Sequence, residues 1–579
     1  MRKFLFLLIA LLTSVSGAWA QLTSISDGGC YTIQFCRTNL AQDPLKVKSN
    51  LYHDVQNNSD NTIAAVFQFE SAGEADTYYI KEISSAKYVY ASDTPTITAT
   101  AAAANVKIQL GNTSVPGTDS ETPKDSQIRY KWVVTYVGSK GTTGTYLWSI
   151  KPKENTDVFW AVFSQGTSNP VALYGTNTGG YDHYILGFVQ LITPTLESWI
   201  QANLTVSQLK AKGYSSADIA EYYKPTKLDV AGWPTTTAYN TFKAAINALA
   251  DDAVVSTAYE TPYNTMCTSY VLPEVGKFYT IYQPIAKKYI HAVTPDNSTN
   301  LAANTDGTAA DAIFYVPYSG RFLSYTKGYA MSTNKIYNDY YGSGGFQTYT
   351  IDHLSTHPLG TLRIKGGNYL AADAGNDYVW TSSYGAETSK YWTFTEVTSL
   401  PVTITAAKYA SFCAPVAVTI PSGVTAYRAK SIDGSVVTLS SIDDGTIPAN
   451  TGVILYANVD VATTYNFDIT TGGTATSLLT GTTAAVSRPY YSYVLSKSSE
   501  GVVGFYGDGA TTIPGFKAYY QGAGSVKGYS FRFDDETEVK SLDELPLISE
   551  GKMYDLSGRR IVKPTRGLYL SKGQKFVVK

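Results

Sequence analysis

This chain is short of the residue types that carry most enzyme chemistry. Its 579 residues include five His, four Cys and four Met. His353 and His357, in Asp352-His-Leu-Ser-Thr-His-Pro358, are the one histidine pair at i, i+4 spacing. That spacing gathers two metal ligands only on a helix, and Pro358 after Thr350-Ile351 argues for a strand end and loop. No HExxH, GxSxG, P-loop or dinucleotide-binding fingerprint occurs. Gly342-Ser343-Gly344-Gly345 reads as a hairpin turn rather than a phosphate cradle. We therefore expect no catalytic residues, no metal and no cofactor, and a protein that is not an enzyme. The alternative is a hydrolase with an unrecognised site, because a glycosidase carboxylate pair need only be close in space.

Charge is also scarce. There are 45 Lys and Arg against 47 Asp and Glu, with no basic stripe of the kind a phosphate backbone requires, so nucleic acid is excluded as a partner. No run beyond the N-terminus is long and apolar enough to span a membrane. The four cysteines are Cys30, Cys36, Cys267 and Cys413. Cys30 and Cys36 flank one strand-like stretch, Tyr-Thr-Ile-Gln-Phe, which holds their Cα atoms about 20 Å apart, beyond disulfide reach. No CxxC is present, and free buried thiols are expected at all four positions.

What the chain has in quantity is tyrosine, 47 residues of it, with many Thr, Gly and Ser. That composition suggests short strands and many turns. The start, Met-Arg-Lys-Phe-Leu-Phe-Leu-Leu-Ile-Ala-Leu-Leu, followed by Ala18-Trp19-Ala20, has a basic tip, an apolar core and a small-residue cleavage site. We read 1–20 as a secretory signal peptide, so the protein is exported.

Short alternating runs fill the next stretch, read as a first β domain at 21–194 and enlarged by an insertion near 101–128. The region 195–270 changes to helical periodicity, and Phe242, Ala245, Ile246 and Leu249 make one apolar stripe. We read it as a small helical spacer. From 271 to 398 the β pattern returns: Gly276-Lys-Phe-Tyr-Thr-Ile echoes Gly28-Gly-Cys-Tyr-Thr-Ile. Within this second domain Tyr289, Tyr329 and Tyr369 fall 40 residues apart, each just after a hairpin turn. Three units of that length must share one core.

These features resemble the β-trefoil of ricin-type lectins, in which three such units close a barrel. The resemblance covers 274–398 best and 27–193 less fully. The Gln-x-Trp signature of that family is largely missing. Gln347-Thr348-Tyr349 is the nearest approach, and Lys390-Tyr391-Trp392 stands in the third unit. The implied function is glycan binding: aromatic rings stack on sugar faces while Asp and Asn meet the hydroxyls. The third unit offers Asp373, Asn376, Tyr378 and Trp380, and the second offers Asn338, Asp339, Tyr340 and Tyr341. A competing account makes the polar residues turn formers and buries Trp380, with Val379 outward.

Residues 399–540 read as a β-sandwich-like module, and Ile447–Val453 is similar to a stretch near the C-termini of bacterial surface proteins. The tail 541–579 holds Tyr554-Asp-Leu-Ser-Gly-Arg559, Gly567-Leu-Tyr569 and a final Phe576-Val-Val-Lys579. It resembles the end of C-terminal sorting domains of the type IX secretion system, which implies secretion machinery as a partner and a cell-surface, outer-membrane-associated or secreted location. The fold expected is thus mainly β and multi-domain: two β-trefoil-like domains, a helical spacer, a sandwich and a β tail. The expected function is that of a bacterial, non-enzymatic surface protein binding a glycan or another host or cell-surface ligand. The alternative is a structural or adhesion protein that binds proteins.

Overall fold

The computed structural model describes residues 24–578 apart from 38–39, 48–54, 58–64, 93–105, 141–144, 162–168, 176–188, 294–299, 337–346, 355–356, 385–386, 500, 508, 535–539, 542–552, 556–559, 562–565 and 572–573. The expected signal segment and the candidates Asn338, Asp339, Tyr340 and Tyr341 lie outside the described residues. The chain forms two compact units. One holds the chain up to Asp229 together with Trp233–Tyr270, and the other holds Val230–Gly232 and Val271–Lys579.

In the first unit six strands close into an antiparallel ring. Gly29–Arg37 pairs with Val66–Ser71, which pairs with Thr77–Glu82. Thr77–Glu82 pairs with Lys131–Lys140, and that strand pairs with Thr145–Pro152. Val189–Ile192 joins Thr145–Pro152 back to Gly29–Arg37. Between successive ring strands sit three hairpins: Leu40–Val47 with Val55–Asn57, Lys87–Ala91 with Ile108–Leu110, and Val158–Ala161 with Ala172–Gly175. Ring, hairpin, ring, repeated three times, is the β-trefoil arrangement. Alternation drives it. In Lys131–Lys140, Trp132 and Val134 are buried while Thr135 is exposed. Ile33, Phe67, Phe69, Ile80, Trp148 and Ile150 fill the same core. The expected insertion falls in the second repeat, where two short 3₁₀ turns, Pro123–Asp125 and Gln127–Tyr130, precede the ring strand.

The helices belong to this same unit. Within the helical region the stretch from Thr205 to Tyr223 forms two helices, Val206–Ala211 and Ser216–Tyr222. Gly213, at φ +90°, ends the first, and Ser215 opens the second with a capping box shared with Asp218. Thr236–Asn247 buries Phe242 and Ile246, and Phe242 packs edge-on against Tyr223 and Tyr263. The apolar stripe is therefore core of the helical group itself. Two short helices, Val255–Ala258 and Glu260–Cys267, complete the helical region.

The second unit repeats the trefoil in smaller form. Phe278–Gln283 pairs with Ile313–Tyr315 on one side and Thr393–Glu396 on the other. Ile313–Tyr315 continues to Leu323–Ser324, and Thr350–Asp352 pairs with Arg363–Gly366. Single contacts complete the ring: the Tyr349 amide donates to Gly320 at 2.7 Å, and Leu362 and Trp392 exchange both backbone bonds at 2.7 and 2.9 Å. The three caps are Lys288–His291 with Ala302–Asn304, Met331–Ser332 with Lys335–Ile336, and Asn368–Ala371 with Trp380–Ser382. They meet in a triangle of hydrogen bonds. Val379 N–H donates to Leu301 O at 2.8 Å and Leu301 N–H to Asn334 O at 2.8 Å. The Asn334 side-chain amide closes the triangle on Val379 O at 2.9 Å.

Tyr289, Tyr329 and Tyr369 occupy one backbone station in this scheme. Tyr289 is opposite Tyr282, Tyr329 O accepts from Ser324 N–H, and Tyr369 is opposite Lys365. Their rings differ in surroundings. Tyr289 packs on Tyr282, Tyr329 is buried, and Tyr369 lies against the Arg363 and Lys365 cations.

Residues 399–533 form two facing sheets and a short two-stranded ribbon, Val486–Ser487 with Thr512–Ile513. Ser399–Ile404, Thr463–Thr470, Ala417–Thr419 and Thr446–Ile447 make the smaller sheet. The larger has nine strands and includes Tyr409–Phe412, Val453–Tyr456 and Thr425–Asp433. Leu400, Val402, Ile404 and Phe467 meet Phe412, Val453 and Leu455 in one core, which also takes in Phe278 and Tyr325 of the barrel. Gly328 fits this junction because its φ is +69° and a Cβ there would lie 2.6 Å from Gly515 Cα. The described strands of the tail make a separate five-stranded sheet in the order Lys540–Ser541, Gln574–Val578, Gly567–Ser571, Met553–Asp555, Arg560–Ile561.

Candidate functional site

Four of the eight residues singled out from the sequence are described, and all four lie on one loop and strand of the third repeat. Asp373 opens a tight turn. Its Oδ1 accepts from the Gly375 amide at 2.9 Å, the Asn376 amide at 3.0 Å and the Asn376 side chain at 3.1 Å. Asp373 and Asn376 therefore bond each other and build the turn, as short polar residues do where backbone amides need an acceptor.

The strand that follows places its side chains alternately. Val379 is fully buried, Tyr378 is 44% exposed, and Trp380 is half-buried. Tyr378 and Trp380 share the outer face, ring centroids 6.4 Å apart and planes at 68°. The competing placement, with Trp380 inward and Val379 outward, is reversed. The reason is the cap triangle, which draws Val379 to the axis by both its backbone groups.

Sequence reading missed two residues here. Asp377, next to Tyr378, has a side chain that is 95% exposed. Its Oδ1 is 2.9 Å from the ammonium of Lys288, which comes from the first repeat. In Asp373-Ala-Gly-Asn-Asp377 the first carboxylate caps the turn and the last is left outside it. Lys288 carried no local signal, because its partners lie 86 to 89 residues away.

The Gln-x-Trp positions take structural roles. Trp392 is fully buried and donates its indole N–H to Leu370 O at 3.0 Å. In the first barrel Trp132 donates to Val89 O at 3.0 Å. Gln347 Oε1 accepts from the Thr333 amide at 2.7 Å, and the Tyr349 hydroxyl donates to Thr333 O at 2.6 Å. Lys390 is fully buried and paired with Glu387.

Other chemistry is sparsely provided for. Burial pushes the thiols of Cys267 and Cys413 up to about 12 and raises that of Cys30, and all three are free. Cys36 has no described side chain. Burial lowers the pKa of His353, whose Nδ1 lies 2.9 Å from Thr361 O. His291 Nδ1 lies 2.9 Å from Asp311, with the imidazole buried. Among the described residues no three His, Cys, Asp or Glu side chains are grouped to hold a metal. A hollow of about 300 Å³ in the sandwich is lined by Arg428, Asp443, Asp444 and Thr476 among others, and it has no aromatic wall. No described helix is long and apolar enough to cross a membrane.

Comparison with family models and with curated proteins gives no match. Among solved structures, the chain is similar to a ricin B-like lectin of Macrolepiota procera in complex with lactose. Identity is 13%, covering 22% of this chain and 100% of that one, with a TM-score of 0.18. A Polyporus squamosus lectin bound to a human-type influenza-binding epitope is 13% identical, covering 64% of this chain and 99% of that one, at TM-score 0.23. A designed threefold-symmetric protein is 12% identical over 21% of this chain and 99% of its own, at TM-score 0.18. At such scores the fold rests on the strand pairing above.

Proposed function

We propose that this protein is an exported, non-enzymatic β protein that binds glycans through the third repeat of its second trefoil. One observation carries the reading: Tyr378 and Trp380 present an outer aromatic face over the buried Val379, with the exposed Asp377 carboxylate beside them. A ring face takes the apolar side of a pyranose, and the free carboxylate oxygen accepts hydroxyl protons. Asp373 and Asn376 shape the loop that holds these groups. The reading also takes the tail as a signal handled by secretion machinery, with the protein ending at the cell surface or in the medium. Supporting it are the Tyr554–Arg559, Gly567–Tyr569 and Phe576–Lys579 motifs of the sequence.

The test is a glycan array probed with the mature protein and with Trp380→Ala and Asp377→Ala. Retained glycans that both variants lose support the proposal. A wild-type protein that retains none, while binding a protein ligand in the same assay format, would favour the adhesion alternative.

A further inference from the structure

Lys288 belongs to the first repeat, yet it directs its ammonium to the third. Its Nζ donates to Ala374 O at 3.2 Å, Asn376 O at 2.8 Å and Asp377 Oδ1 at 2.9 Å. Those are three acceptors for three protons, so this buried cation is fully satisfied. A buried ammonium left short of partners is costly, so the loop is held where these oxygens coincide.

The bonds fall on both sides of the exposed part of the loop. Asp373 fixes its beginning from within. Backbone bonds fix its end: Ala303 N–H to Asp377 O at 2.9 Å and Val379 N–H to Leu301 O at 2.8 Å. Between them the carbonyls of Ala374 and Asn376 accept from the Lys288 ammonium. Among the described residues it is Lys288 that tethers the otherwise exposed Asp377 carboxylate.

We infer that Lys288 is the positioning residue of this site: a strut from the first repeat that sets the 374–377 loop and aims the Asp377 carboxylate beside Tyr378. The candidate glycan site is thus assembled across two repeats, and the third repeat alone does not specify it. Which ligand the loop serves rests on the glycan reading, while its placement by Lys288 rests on geometry alone.

The test has two arms on the full mature chain. Amide hydrogen exchange compares wild type with Lys288→Met. Lys288→Gln, which keeps two N–H donors, replaces it if the Met variant does not fold. The amides of Ala303 and Val379 should exchange at least tenfold faster in the variant, while Leu362 and Trp392 in the barrel stay protected. The second arm measures binding to whichever printed glycan the wild type retains, for Lys288→Met, Asp377→Ala and the double variant. Each single change should weaken binding at least tenfold, with the double variant no weaker than Asp377→Ala. Unchanged exchange at Ala303 and Val379 overturns the inference whatever the sugar result. So does undiminished glycan binding by Lys288→Met when Trp380→Ala abolishes it. Faster loop exchange in a protein that retains no glycan supports the strut and refutes the glycan reading instead.

Discussion

Trp392 donates its indole N–H to the carbonyl of Leu370 at 3.0 Å, tying a ring strand of the second barrel to the cap above it. Trp132 makes the corresponding bond to Val89 in the first barrel. Both indoles are fully buried. Replacing either Trp with Phe removes the bond, leaves a buried carbonyl unsatisfied and opens a small cavity. We expect each change to cost about 2–4 kcal/mol. Thermal unfolding of Trp392→Phe and Trp132→Phe checks this, and melting temperatures within a degree of wild type would contradict it.

The trefoil was legible because its cause is periodic. Tyr289, Tyr329 and Tyr369 mark the same station in each turn of the repeat, and only a closed core lets units of that length bury their apolar faces. The helix break at Gly213 rests on two local signals, the left-handed glycine and the Ser215–Asp218 capping box, within a longer stretch of helical periodicity. At the site, the outward pair Tyr378 and Trp380 follows from strand alternation. The roles of the polar residues do not. Asp373 and Asp377 look alike in sequence, and what separates them is which backbone amides come within reach. Lys288 was invisible, because an ion pair across 89 residues leaves no local mark.

Acidification should weaken the second barrel through His353. Burial lowers its folded-state pKa, so the folded protein prefers the neutral imidazole. Asp352 and Arg363 face it with opposing effects. The unfolded chain takes up a proton near its ordinary value of about 6.5. Stability from this group is therefore complete above that pH and is lost as pH falls through the lowered pKa. His353→Asn should flatten the decline in melting temperature between about pH 7 and 5. An equally steep decline in the variant would remove His353 from the account.

The buried thiols should be nearly inert. With pKa values near 12, Cys267 and Cys413 hold about one thiolate in ten thousand at pH 8. Iodoacetamide applied to the native protein, followed by peptide mapping, should leave both unmodified while the denatured protein is labelled at both. Rapid native labelling of Cys413 would contradict its placement, where a Cβ on Gly481 would lie 2.3 Å from its sulfur.

Deleting Tyr554 to Lys579 should leave the upstream barrels and sandwich folded, because the described tail strands pair only with one another. Expressed in its native host, the truncated protein should accumulate in the periplasm with the melting temperature of the upstream domains retained. Normal arrival at the surface or in the medium would refute the sorting role.

The most direct measurement of the central proposal is the affinity of Trp380→Ala for a glycan the wild type retains, taken together with its melting temperature. Trp380 sits half-buried on the outer face beside Tyr378, with Val379 filling the core beneath. The account predicts at least a tenfold loss of affinity and, because Trp380 is only partly covered, a fall in melting temperature clearly smaller than that of Trp392→Ala, whose indole is fully buried. An unchanged affinity in a stable variant would contradict it. So would a loss of stability as large as that of Trp392→Ala, the signature of a core aromatic.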